Sequence, residues 1–376
     1  MKFKVKKELL ARALQLANGV VDKKNQMPIL THVLLKSASN STVDVVATDL
    51  TTSITVTVPA EEVTTEGALV VLAANLATLV KKLPGETVAM VQLESNWVTV
   101  KSGRSEHKIA GLNSKDFPKL MEMGNWKESD VIEVSALLDL LSSTAFSASS
   151  DLTRYHLSSL LLEYVKDKDT LNAVTTDGHR LSLAKLTPIT FNHLKNNLLI
   201  PTKSVTEMIK VLKDTKATQV QLGTTGSHIF LKADDVLLSM RLTDATFPPY
   251  QQVIPKEVDT DRVVEVNRTN LASAVDRVSL LSAEKAACKL SLDKGFITLQ
   301  SENPGTADSS EMVDVDYMGG PGMVGINPQY LNDALSHMTG AKAKLRLRSS
   351  DLDPVVLESV DSPMSQIFVI MPMRLG

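Results

Sequence analysis

Cysteine is nearly absent from this chain: Cys288 is the only one in 376 residues. A lone thiol cannot close an internal disulfide. Its place in an apolar run before Leu290 and Leu292 predicts a reduced core residue in a cytoplasmic protein. Histidine is sparse too. Seven scattered histidines and one cysteine make no ligand cluster at structural or catalytic spacing, so neither metal nor cofactor is expected. Long apolar runs are missing as well, and no stretch reaches the roughly 18 apolar residues of a membrane span. The opening Met1-Lys2-Phe3-Lys4-Val5 lacks the apolar core of a signal peptide, so no membrane partner is expected.

What is present is repetition. The same programme of elements recurs three times, at a period of roughly 125 to 130 residues. Each copy opens with a short charged strand running into an amphipathic helix: Val5-Lys6-Lys7-Glu8-Leu9-Leu10, Val134-Ser135-Ala136-Leu137-Leu138 and Val266-Asn267-Arg268-Thr269-Asn270-Leu271. A second helix follows in each. Leu76, Leu79, Val80 and Leu83 match Val205, Met208, Ile209 and Leu212 at a constant offset of 129, and Leu331, Ala334, Leu335 and Met338 form the third set. Copies one and two close on Phe117-Pro118 and Phe247-Pro248, and copy three on Met371-Pro372. Between the helices the sequence predicts short antiparallel strands, such as the alternating 51–58 run ending at Pro59. The fold class is therefore α+β, with three tandem domains of two helices on antiparallel sheet, at 1–126, 127–255 and 256–376.

Net charge is −3, but it is unevenly placed. Helical windows at 5–17, 73–83, 135–147, 202–213, 268–285 and 328–338 carry +5 and the rest of the chain −8. Basic helices beside an acidic body suit a helical face that meets a polyanion. Charged solvent faces of ordinary helices are the alternative. Geometry adds a shape. Twelve helices, from two chains, each about 10–12 Å wide, would trace a circle roughly 40–45 Å across. Roughly 30–35 Å would stay open inside, room for a duplex about 20 Å wide.

The residues also resemble a known family over nearly the whole length. Thr176-Asp177-Gly178-His179-Arg180-Leu181, Arg154-Tyr155-His156-Leu157, Phe247-Pro248-Pro249-Tyr250 and Val369-Ile370-Met371-Pro372-Met373-Arg374-Leu375 look like the bacterial DNA polymerase III β subunit, the sliding clamps. Met27-Pro28-Ile29-Leu30 and Ser102-Gly103-Arg104-Ser105 match too. The resemblance implies a non-catalytic homodimeric ring, closed head to tail on double-stranded DNA without sequence preference. It also implies partners that share one peptide cleft: the polymerase III catalytic subunit, the clamp loader complex, and other polymerases and repair factors.

Carried over position by position, the cleft would use Leu157, Thr176, Gly178, His179, Arg180, Leu181, Pro248, Val253, Pro354 and Val369, Ile370, Met371, Pro372, Met373, Arg374 and Leu375. Leu157, His179, Leu181, Pro248 and Val253 would wait with exposed apolar surface while the tail crosses toward copy two. DNA phosphates would meet Lys24, Arg154, Tyr155 and His156. The ring joint would set Lys101, Arg104, His107, Lys108 and Ile109 against Leu280, Leu281, Asp308 and Glu311. Four places depart from the family: His107 where a large apolar residue is usual, Ala73-Ala74-Asn75 where some relatives are basic, Tyr155-His156 where Tyr-Tyr is common, and the extra Gly376. Without the family, Asp177-Gly178-His179-Arg180 reads as an acid–base pair or as a tight turn with Arg180 paired to a carboxylate. The Met-rich tail then reads as a core strand.

Overall fold

The computed structural model describes residues 1–22, 27–39, 41–194, 197–258, 261–281, 287–348 and 350–375. Copy one runs β1 (Lys2–Lys6), α1 (Lys7–Val20), β2 (His32–Ser39), β3 (Thr42–Thr48), β4 (Thr52–Thr65), β5 (Ala68–Leu72), α2 (Ala73–Lys82), β6 (Thr87–Gln92), β7 (Val98–Ser102), β8 (Ser105–Ile109) and β9 (Gly111–Leu112). Copy two repeats the order as β10 (Ser129–Glu133), α3 (Val134–Ser142), β11 (Ser159–Val165), β12 (Thr170–Thr176), β13 (Arg180–Leu186), β14 (Leu198–Pro201), α4 (Thr202–Asp214), β15 (Gln219–Thr225), β16 (His228–Ala233) and β17 (Val236–Arg241). Copy three follows as β18 (Arg262–Asn267), α5 (Arg268–Ser279), β19 (Cys288–Asp293), β20 (Phe296–Asn303), β21 (Ala307–Asp314), β22 (Gly322–Ile326), α6 (Pro328–His337), β23 (Lys342–Leu347), β24 (Val355–Val360) and β25 (Ser365–Ile370).

The helices form where the apolar spacing places them. On α1, Leu10, Ala13, Leu14 and Ala17 fall at i, i+3, i+4 and i+7, and all four are buried. Asn327 caps α6 by accepting from the Gln329 N–H, with Pro328 in the first turn. Two helices stop several residues short of their expected ends. α3 ends at Ser142 rather than 147, because the Ser143 and Thr144 hydroxyls donate back to the Leu140 carbonyl and compete with the helical ladder. α5 ends at Ser279, whose hydroxyl donates to the Asp276 carbonyl; the expected extension to 285 runs partly outside the described residues.

Contacts gather the chain into two compact units, which cut through copy two. The first holds Met1–Ser135, Asn192–Leu194 and Thr206–Leu242. Its 13-stranded sheet follows the path β10-β15-β16-β17-β4-β1-β6-β7-β8, with β2, β3, β5 and β9 branching off. β4 is the hub. It pairs with β3 and β17, passes Pro59, and then turns its last residues to β1, with Ala60 opposite Val5. The expected stop at Pro59 is therefore wrong. The missing N–H falls where β4 exchanges one partner for the next, so the ladder loses little. Arg12 on α1 ties the two copies within this unit through Asp214 (2.6 Å) and Asp235 (2.6 Å).

The second unit holds Ala136–Phe191, Lys195–Val205 and Thr243–Gly376. Its eight-stranded sheet runs β14-β11-β12-β13-β25-β24-β23-β18, and a four-stranded sheet runs β21-β20-β19-β22. Copies two and three are again joined by strand pairing, here β13 against β25. The copy-three core packs Leu271, Val275 and Val278 of α5 and Leu331 and Leu335 of α6 against both sheets. Cys288 lies in that core, and burial pushes its thiol up to about 11.

Candidate partner cleft, DNA loop and closing edges

The Thr176–Leu181 run makes the turn from β12 into β13. Gly178 sits at φ +96°, a conformation that costs an L residue strain. Asp177 organises the turn. Its carboxylate accepts from the backbone N–H of His179 (2.8 Å) and Arg180 (3.1 Å), and from Arg180 Nε (3.0 Å). The rest of the Arg180 guanidinium is also engaged. Nη1 donates to Asp333 on α6 (2.5 Å), Nη2 to the Phe146 carbonyl (3.0 Å), and the group lies over the Phe146 and Tyr330 rings. So Asp177 serves the turn rather than an acid–base pair, and Arg180 is paired twice.

The strand pairing then brings the expected cleft residues together. Arg180 stands opposite Ile370 and Leu181 opposite Val369, and the Met371 N–H donates to the His179 carbonyl (2.9 Å). Two expectations need correction. Leu157 and Leu181 are not exposed: both are buried, Leu181 in a cluster with Val174, Leu199, Tyr250 and Val369. Nor does the tail go on toward copy two. Beyond Pro372, the Met373 N–H donates to the Gly325 carbonyl (2.7 Å), and Leu375 packs beside Gly325, where a Cβ would clash. The core-strand alternative describes Val369 and Ile370, which are buried in β25. Open apolar surface comes from Val253 (43% exposed), Met371 (39%) and Leu375 (36%). Thr176, Pro248, Pro354, Pro372 and Met373 are half-buried, and Gly178, His179 and Arg374 are exposed.

Tyr250, the last residue of the Phe247-Pro248-Pro249-Tyr250 run, anchors this surface through partners that no local pattern marks. The Tyr250 phenol donates to Glu163 (2.6 Å) and accepts from Asn172 (3.2 Å). Burial first, and then the bond to Glu163, hold that phenol far above its ordinary range. Pro248 lines a cleft of about 250 Å³ with Leu161, Leu199, Phe247 and Tyr250. Asp333, Phe146 and Tyr330 were missed too. Nothing local marks a residue 153 positions away as a partner of Arg180.

Of the expected DNA residues, Lys24 lies outside the described residues. Arg154, Tyr155 and His156 follow a turn built on Asp151, whose carboxylate accepts from the Thr153 hydroxyl (2.7 Å) and N–H (2.9 Å). Arg154 and Tyr155 are exposed, and His156 is half-buried, edge-on to Tyr155 at 6.0 Å. Arg154 also reaches the Asp177 carbonyl (3.4 Å), so this loop rests against the cleft turn. The helical cations are less available than their count suggests. Arg12, Lys210 and Arg277 are ion-paired within the chain, and Lys7 and Arg268 donate to backbone carbonyls.

The expected joint residues lie on open edges. β8 ends one sheet and β21 another. Lys101, Arg104, His107 and Lys108 are exposed on the β7–β8 hairpin, and Ile109 is half-buried. Lys101 pairs with Glu106 (3.1 Å), and Lys108 lies over Trp97. Leu280 is 81% exposed and Leu281 51%. Asp308 is exposed, but Glu311 is held by Arg277 through two bonds of 2.9 and 2.8 Å, so within the chain it is not waiting for a partner's cation.

Three family models match the chain in succession: DNA polymerase III beta subunit N-terminal domain at residues 1–121, central domain at 131–249 and C-terminal domain at 251–374. The beta sliding clamp of Pseudomonas putida is 32% identical and that of Escherichia coli K12 30%, each match covering 100% of both chains. Among solved structures, the DNA polymerase sliding clamp of Pseudomonas aeruginosa superposes with a TM-score of 0.90 at 29% identity. The DNA polymerase III beta subunit of Thermotoga maritima gives 0.89 at 26%, and both cover 100% of each chain.

Proposed function

Because the chain belongs to the DNA polymerase III β subunit family, the bacterial sliding clamps, we propose that two copies close head to tail around duplex DNA. It is a DNA sliding clamp, a processivity factor of replication with α+β clamp domains. The ring reading rests on one observation, the rule by which successive copies join. β4 pairs with β17 between copies one and two, and β13 with β25 between copies two and three. In chain order β4, β13 and β21 are the same strand of the repeat, and so are β8, β17 and β25. The third joint of the series is therefore β21 against β8. Both strands end their sheets, so this pairing calls for a second chain. Leu280 and Leu281 would be covered there, beside His107 and Ile109.

In this reading the domains are 1–126, 127–255 and 256–376, the protein catalyses nothing, and it works in the cytoplasm. Arg154, Tyr155, His156 and Lys24 contact phosphates. Val253, Met371 and Leu375 offer apolar surface beside the Thr176–Leu181 turn, where an extended peptide with Leu and Phe anchors docks. The polymerase III catalytic subunit, the clamp loader and repair factors compete for it. Gel filtration on plasmid DNA tests the ring. Once loaded, the protein should coelute with circular plasmid as a dimer and be released on linearisation. A monomer, or retention indifferent to topology, would sink the reading.

A further inference from the structure

The first strand of each copy has its outer edge treated differently. In copy one, β1 pairs with β6 on one side and with the 60–65 end of β4 on the other. In copy two, β10 pairs with β15, and its Asp130 carboxylate accepts from the backbone N–H of Asn192 (2.7 Å), His193 (3.0 Å) and Leu194 (2.8 Å). In copy three, β18 pairs with β23, and among the described residues no strand covers its other edge. The cause is the length of β21. It has eight residues against fourteen in β4 and stops at Asp314 opposite Phe296. The chain then turns away, with the Val315 N–H donating to the Gly295 carbonyl (2.9 Å) and the Gly295 N–H to the Tyr317 carbonyl (2.9 Å).

A gap of about 590 Å³ is left between β18 and Asp314-Val315-Asp316. An antiparallel strand with one neighbour turns every second N–H and C=O outward, and those groups accept a further strand. The rim of the gap is acidic. Asp314 and Asp316 are exposed and have no ion pair among the described residues. The bordering Lys342 and Lys344 are already held by Glu265 (3.4 Å) and Glu257 (2.7 Å). Asp314 ends β21, and Asp316 sits in the turn closed by the Tyr317 N–H on the Val315 carbonyl (3.1 Å), so both carboxylates border the gap. An added strand turns every second side chain the same way, so cations at alternate positions of a peptide would face that rim.

We propose that the open edge of β18 takes an extended peptide with Lys or Arg at alternate positions, added as a strand, its cations held by Asp314 and Asp316. The apolar flank of Val263 and Val315 takes the intervening side chains. This site shares none of its residues with the cleft beside the Thr176–Leu181 turn, so the two stand or fall separately.

The probe is a short fluorescein-labelled peptide alternating lysine and valine, followed by anisotropy, with hydrogen exchange read at residues 262–267. Saturable binding should come with slowed exchange in β18. A peptide with glutamate for lysine should not bind. Asp314→Asn with Asp316→Asn should weaken binding at least about tenfold, through loss of two charge-assisted contacts, while Asp314→Glu with Asp316→Glu should keep it. Equal affinity in the Asn variant overturns the proposal, and so does binding that leaves β18 exchange unchanged. Protection of β18 by duplex DNA in place of the peptide would overturn it as well.

Discussion

Arg180 shows how far a residue's place in a motif can mislead about its contacts. It sits inside the run expected to face a partner peptide, yet Asp177, Asp333 and the Phe146 carbonyl already take its donors. Removing it would leave two carboxylates without their cation in a half-buried site, which is strongly destabilising. Val253 and Met371 are the opposite case, apolar and open. Val253→Ala with Met371→Ala should therefore lower affinity for a Leu- and Phe-anchored peptide by more than about tenfold, since each lost anchor contact forfeits part of roughly 1.5–3 kcal/mol. The melting temperature should hardly move. Arg180→Ala should lower the melting temperature instead. Calorimetric titration and thermal unfolding separate the two, and peptide affinity unchanged in the Val253/Met371 variant would remove those residues from the cleft. The Asp-Gly turn was legible because its chemistry is local. The partner at Asp333 was not, because a contact across 153 residues leaves no spacing to read.

At the scale of elements, the repeat was readable where periodicity alone decides. Leu10, Ala13, Leu14 and Ala17 announce α1, and its buried face agrees. What the pattern could not carry was partner exchange within one strand: nothing in the 52–65 sequence says that β4 serves β3 and β17 before it serves β1. Helix ends were also hidden, since Ser143 and Thr144 end α3 through side-chain bonds to the backbone. The joining rule gives a prediction of its own. Leu280 and Leu281 follow α5 and are open in the single chain. Burying each against a second chain contributes about 1.5–3 kcal/mol. Leu280→Ala with Leu281→Ala should yield folded monomers at micromolar concentration by sedimentation. An intact dimer would mean that the joint lies elsewhere.

For the whole molecule, charge decides how DNA is held. The chain carries −3, and much of the helical basicity is bound internally. A protein that neutralises only a few phosphates has a shallow salt dependence, a log–log slope of about −0.9 for each phosphate contacted. Lys24 and Arg154 together would give a slope near about −2, far from that of a protein gripping the duplex electrostatically. On the proposed ring, retention then comes from closure. Loading onto circular DNA should weaken slightly with salt, and Arg154→Ala should flatten that slope by about 0.9. Protein already loaded on circles should survive a wash at about 0.5 M salt, where the Debye length is only a few ångströms and phosphate contacts are screened. The same wash should strip it from linear DNA of equal length. Loss from circles at that salt, or a slope steeper than about −5, would show that contacts rather than topology keep the protein on its duplex.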